Sequence, residues 1–193
     1  MEVESYRLFV SLPVPANVRK AINEFARALD MQIPAEAVRW TPTEQIHLTL
    51  KFLGKVDSTA VPEVEEALKA ATRGAAGFEL QMADLGAFPS HRDPRVIWIG
   101  LAGDLDALLW LQTRVSDALG QWCEKEESRT FKPHLTVGRV RDPQSGNQKK
   151  IAAALKSAHA PDAQPWRAEH VSLMRSQLSP HGARHTAIGE FPL

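Results

Sequence analysis

Apolar residues recur along this chain with two periods, and the switches between them mark out its elements. Residues 6–12 (YRLFVSL) combine β-branched and aromatic side chains and predict a buried strand, followed by Pro13 and Pro15. Over residues 16–29 the apolar positions Val18, Ile22, Phe25, Ala26 and Leu29 return at three and four, the spacing of an amphipathic helix. Pro34 interrupts, and residues 38–40 form a short extended piece. Residues 45–53 (QIHLTLKFL) alternate, with Ile46, Leu48, Leu50 and Phe52 on one face and Gly54 as the stop. Asp57 or Ser58 can cap a helix over residues 61–73, and residues 78–85 are extended.

The series then restarts. Residues 95–101 (RVIWIGL) predict a strand, and residues 105–122 the longest helix, with Asp104 as its cap. Residues 134–140 (HLTVGRV) predict a strand and residues 149–158 a helix. Residues 166–175 and 184–191 close the chain as two strands joined through Ser179, Pro180, His181 and Gly182, a turn composition. Residues 142–147 (DPQSGN) are the expected mobile loop. The order β-α-β-α-β thus occurs twice, with one strand appended, and in each half an H-L-T tripeptide opens the second strand. This reads as an internal duplication. The expected architecture is α+β: one domain of residues 1–193 built from two lobes, about 1–90 and 91–193, each an antiparallel-type sheet with helices outside. The lobes face a central cleft with pseudo-twofold symmetry, and strand exchange between them is left open.

Composition narrows the function classes. The chain has 193 residues, with 23 Lys and Arg against 23 Asp and Glu. No apolar run approaches the roughly 18 residues of a membrane span. The first residues lack the basic and apolar regions of a secretory signal, and the lone Cys123 excludes an internal disulfide framework. The expectation is a soluble cytoplasmic monomer with no membrane association and no obligate protein partner. Balanced charge argues against a general nucleic-acid coat protein. It leaves room for an RNA terminus or a small phosphorylated ligand at a local basic cluster of Arg129, Lys132, Arg139, Arg141, Lys149 and Lys150, with an ordinary solvated face as the equal alternative.

The candidate chemistry lies in His47-Leu48-Thr49-Leu50 and His134-Leu135-Thr136-Val137, nearly half the chain apart. One H-L-T tripeptide is expected only about 0.03 times by chance in such a composition, so two in matching places are not incidental. On a strand, His47 and Thr49 share one face while Leu48 and Leu50 point to the core, and the second copy repeats this. Packed about a pseudo-twofold axis, the copies present two imidazoles and two hydroxyls to one cleft. That set suits phosphodiester chemistry. A neutral imidazole accepts a proton from water while a charged one protonates the departing alkoxide. Thr49 and Thr136 can hold the non-bridging oxygens, and Arg139 can offset their growing charge. Strict alternation sets Arg139 on the opposite face from His134, so it reaches the cleft only through a bulge or at the strand end.

Other residues carry weaker signals. His181 and His185 have a metal-ligand spacing, but Pro180 and Gly182 argue for a turn and no further ligands complete a site. Trp40 and Phe131 could stack on a base or simply pack. Trp98, Trp110 and Trp122 read as core, His170 as a strand residue, and His91 and His159 as loop residues. Cys123 reads as a buried or incidental thiol. Neither a P-loop nor a G-x-G-x-x-G fingerprint occurs.

Paired H-x-T-x motifs in a duplicated α/β chain resemble the 2H phosphoesterase superfamily, and within it the RNA 2′,3′-cyclic phosphodiesterases, also called 2′-5′ RNA ligases. Supporting segments are RLFV (7–10), VRW (38–40), HLTLKFLG (47–54), FKPHLTVGR (131–139), SQL (176–178), GAR (182–184) and the ending FPL (191–193). His185 departs from the tyrosine usual in that family. The resemblance implies hydrolysis of RNA 2′,3′-cyclic phosphate ends, on oligonucleotides or tRNA fragments, to 2′-phosphomonoesters. It implies no metal and no cofactor, His47 as proton donor, His134 as base, and Thr49, Thr136 and Arg139 as substrate-binding residues. Ligation would be the same chemistry reversed, with a 5′-hydroxyl replacing water. Alternatives are a related phosphodiesterase on a small cyclic nucleotide or an RNA 3′ tail, and a non-catalytic nucleotide-binding module.

Overall fold

A computed structural model describes residues 4–124, 130–142, 146–179 and 182–193. In chain order the elements are β1 (Ser5–Pro13), α1 (Ala16–Asp30), β2 (Val38–Trp40), β3 (His47–Asp57), α2 (Val61–Thr72), β4 (Phe78–Pro89), β5 (Pro94–Gly103), α3 (Leu105–Leu119), β6 (His134–Val140), α4 (Gln148–Ser157), β7 (Trp166–Ala168), β8 (His170–Ser179) and β9 (Gly182–Pro192). The strands join one antiparallel sheet in the order β7-β4-β5-β6-β3-β1-β8-β9, with β2 paired to β6. The fold is α+β, the sheet curled into a half-barrel with helices on one face.

From the centre outward the sheet reads β3, β1, β8, β9 to one side and β6, β5, β4, β7 to the other. The two sides meet through a single register pair, Leu48 with Leu135, both fully buried. The third strand on each side comes from the opposite half of the sequence: β8 lies against β1, and β4 against β5. The predicted strand 166–175 is divided accordingly. Its first piece pairs with β4 and its second with β1, so the chain passes from one edge of the sheet to the other side at Glu169.

Each helix buries the face its periodicity predicts. Val18, Ile22 and Ala26 of α1, Val64 and Leu68 of α2, and Leu108, Leu111, Val115 and Leu119 of α3 pack on the sheet face that carries Leu48, Leu50, Leu135 and Val137. Helix α4 covers a smaller cluster with Ile151, Ala154 and Leu155. Fully burying one such side chain contributes about 1.5–3 kcal/mol.

Three local expectations change. Gly54 does not end β3, which continues to Asp57. A positive φ of 79° turns the backbone there, and the missing Cβ leaves room for Glu124, which an added methyl would meet at 2.5 Å. Asp104 does not cap α3 with its side chain; its carboxylate accepts a hydrogen bond from the Glu79 amide (2.9 Å), tying β4 to the helix start. Trp110 is not core: it is 47% exposed, with the Arg114 guanidinium stacked 4.7 Å from its ring. Part of the predicted loop 142–147 and the residues Pro180 and His181 of the predicted turn lie outside the described residues.

Candidate active site

Both motif strands open at their histidine, so the alternation of side chains starts in the same phase. Leu48, Leu50, Leu135 and Val137 enter the core, and His47, Thr49, His134 and Thr136 turn to the opposite, concave face. There all four, together with Arg139, line one cavity of about 580 Å³. Neither threonine hydroxyl has a hydrogen-bond partner among the described residues, so both are open to a ligand.

Each imidazole is held the same way. The Nδ1–H of His47 donates to the Gln45 carbonyl and that of His134 to the Lys132 carbonyl, both at 2.7 Å and both to the residue two positions earlier. With its proton placed on Nδ1, each neutral ring keeps its lone pair on Nε2. Burial pushes the His47 pKa down to about 4; the Gln45 hydrogen bond opposes this, and His185 and His134 add to it. Burial also lowers His134, opposed by the Lys132 carbonyl and reinforced by the charges of Arg139 and Lys132. At neutral pH the free site therefore holds two neutral imidazoles.

Arg139 reaches the cavity because β6 is irregular. Against β5, Thr136 pairs with Trp98 and Gly138 with Ile97, so Val137 is skipped and the side-chain phase shifts by one. The same slip occurs in β3 at Leu50 against β1, with a second at Leu53. It overturns the placement of Phe52 with Ile46, Leu48 and Leu50. Phe52 is 56% exposed and lines the cavity, at the position equivalent to Arg139.

Further residues surround the two imidazoles. The His47 ring packs on Phe9 (centroids 4.9 Å) and meets His185 edge-on at 5.5 Å, and all three line the cavity. Burial lowers the His185 pKa. On the other side Phe88 stands edge-on to His134 at 5.1 Å, and Lys132 lies 4.2 Å above the Trp98 ring. Trp98 is buried as expected, but it shares the concave face with its partner Thr136 rather than the helix-covered core. Phe9 was legible only as one member of an apolar strand. Its role depends on β1 lying beside β3, which no local pattern announces.

Some candidates are not brought to the cavity. Trp40 lies over Gly138, whose Cβ would come within 2.9 Å of the indole, and its Nε1–H donates to Asp30 at 2.7 Å. Phe131 packs against the main core. The basic cluster is divided: Arg139 lines the cavity, Lys132 flanks His134, Arg141 and Lys149 do not line it, and Lys150 lies on a separate shallow surface. Arg129 and His181 are outside the described residues. Among the described residues no group of three or more His, Cys, Asp or Glu is arranged to hold a metal ion, and no helix is long and apolar enough to cross a membrane.

The repeated architecture is shared with known proteins. A family model described as LigT like Phosphoesterase matches the chain twice, over residues 12–98 and 100–185. The RNA 2′,3′-cyclic phosphodiesterase of Methanothermobacter thermautotrophicus is 30% identical over 97% of this chain and 98% of its own. The enzyme of that name from Methanocaldococcus jannaschii is 28% identical over 96% and 99%. Escherichia coli LigT complexed with 3′-AMP superposes with a TM-score of 0.78 at 25% identity, over 98% and 99% of the two chains. With one copy of the family model around each motif strand and the same fold throughout, the chain belongs to the LigT-like 2H phosphoesterase family.

Proposed function

We propose that this phosphoesterase hydrolyses terminal RNA 2′,3′-cyclic phosphates to 2′-phosphomonoesters by acid–base catalysis between His134 and His47. Nε2 of neutral His134 takes a proton from the attacking water. Protonated His47 delivers a proton to the 3′ oxygen as its bond to phosphorus breaks. Thr49 and Thr136 hydrogen-bond the non-bridging oxygens, and Arg139 offsets the charge that builds on them. An anionic phosphate between the rings raises the pKa of each, so the substrate itself favours the protonated partner that catalysis requires. Ligation follows the same course with a 5′-hydroxyl in place of water: His134 takes the hydroxyl proton, the new P–O5′ bond forms as the P–O3′ bond breaks, and His47 protonates the departing 3′ oxygen to leave a 2′-5′ linkage.

The observation that carries this reading is the matched pair of Nδ1-anchored imidazoles in one cavity with two unpartnered threonine hydroxyls. The order of roles, His47 as acid and His134 as base, follows the family resemblance. Incubation with a cyclic-phosphate-ended RNA in the presence of a chelator tests the proposal. The expected product carries its phosphate on the 2′ oxygen. A 3′-phosphate product, or turnover only after a divalent ion is restored, would reject it.

A further inference from the structure

Strand β2 pairs with β6 so that Arg39 stands directly opposite Arg139. Residues in direct antiparallel register share a sheet face, with Cα atoms about 4.5–5.5 Å apart, and like charges placed so are destabilising. Neither guanidinium has a carboxylate partner among the described residues. Arg139 lines the cavity, and so does Thr41, which alternation puts on the same side of the chain as Arg39. Arg39 itself is exposed and is not among the residues that line the cavity. The neighbour of Arg139 on its other side is Val96, which brings no charge.

An uncompensated arginine pair running outward from a phosphate site calls for a second anion. A 2′,3′-cyclic phosphate ending an RNA chain has one nearby: the phosphodiester on the 5′ side of its terminal nucleoside. We infer that Arg39, with Arg139, forms a subsite for that phosphodiester, so that the substrate is an oligonucleotide end rather than a free cyclic mononucleotide. This rests on the phosphodiesterase reading above and adds a specificity residue to it. Arg139 then faces two phosphates, contacting the reacting one from the cavity side and sharing the next with Arg39. Guanidinium forks suit this because each presents several donors in one plane.

The test compares adenosine 2′,3′-cyclic phosphate with the dinucleotide ApA bearing a 2′,3′-cyclic phosphate, using the wild type, Arg39→Gln, and Lys20→Gln as a surface-charge control on α1. For the wild type, kcat/KM on the dinucleotide should exceed that on the mononucleotide about tenfold, as expected for one charged hydrogen-bonding contact. In Arg39→Gln that ratio should fall to near one, and the salt dependence on the dinucleotide should flatten by roughly 0.7 in log–log slope. Lys20→Gln should keep the wild-type ratio. The inference is overturned if wild type and Arg39→Gln share the same ratio to within about twofold, or if Lys20→Gln lowers it as much. If the wild type turns over neither substrate, the phosphodiesterase reading fails and this inference falls with it.

Discussion

Phe52 and Arg139 occupy equivalent positions, each five residues after a motif histidine and each turned into the cavity by a one-residue slip in its strand. The duplicated scaffold thus puts an apolar ring at one end of the cavity and a cation at the other. Arg139→Ala should lower kcat by about 10²–10³-fold, the usual loss when a donor to developing oxyanion charge is removed. Phe52→Ala should mainly raise KM, by roughly tenfold or more, if its exposed ring stacks on a base. Steady-state kinetics of the two variants would show the split, and equal effects on both parameters in both variants would contradict it.

In the proposed mechanism the two histidines act as one unit. His47→Ala and His134→Ala should each reduce kcat by about 10²–10⁴-fold, with circular dichroism unchanged. The double variant should be little worse than either single one, because half of an acid–base pair leaves nothing for the other half to complete. Multiplicative losses would mean that the histidines contribute independently.

Rate should depend on pH differently with and without substrate bound. In the free site both pKa values lie below the ordinary 6.5 of histidine, His47 at about 4. The profile of kcat/KM, which reports the free enzyme, should therefore peak on the acid side of neutrality. The kcat profile should shift to higher pH, because the bound phosphate favours protonation of both rings. A kcat/KM maximum on the basic side of neutrality would argue against the assigned roles.

Stability should carry the same signature. His47 has a folded pKa of about 4 against 6.5 for its ordinary value, so between these pH values the unfolded chain binds more protons than the folded one. The stabilisation is complete above about pH 6.5 and is lost as pH falls towards 4, a change of roughly 3 kcal/mol from this residue. Denaturant titrations of wild type and His47→Gln across that range should show a shallower pH slope in the variant. Parallel slopes would mean that the imidazole is not held neutral by the fold.

The junction of the two halves is a defined packing contact. Leu135→Ala should cost about 2–5 kcal/mol, since both Leu135 and its register partner Leu48 are fully buried and the cavity left behind cannot collapse freely. Thermal or denaturant unfolding measures this directly, and a cost under about 1 kcal/mol would show that the junction repacks.

Local pattern was enough to reveal the elements, the duplication and the pair of H-L-T strands, because helix and strand periods are written in neighbouring residues. It also set the phase of His47 with Thr49 and of His134 with Thr136. The cavity's other members depended on non-local pairing. Arg139 and Phe52 enter it only because ladders with β5 and β1 skip a residue, and that skip belongs to two strands at once. Trp98 and Phe9 flank the histidines because β5 and β1 lie beside the motif strands, while Arg39 meets Arg139 through a strand some hundred positions away in the chain. An alternating strand specifies which side chains share a face, but which strand lies next to it, and in what register, is settled when the helices bury the other face and the whole sheet closes around its core.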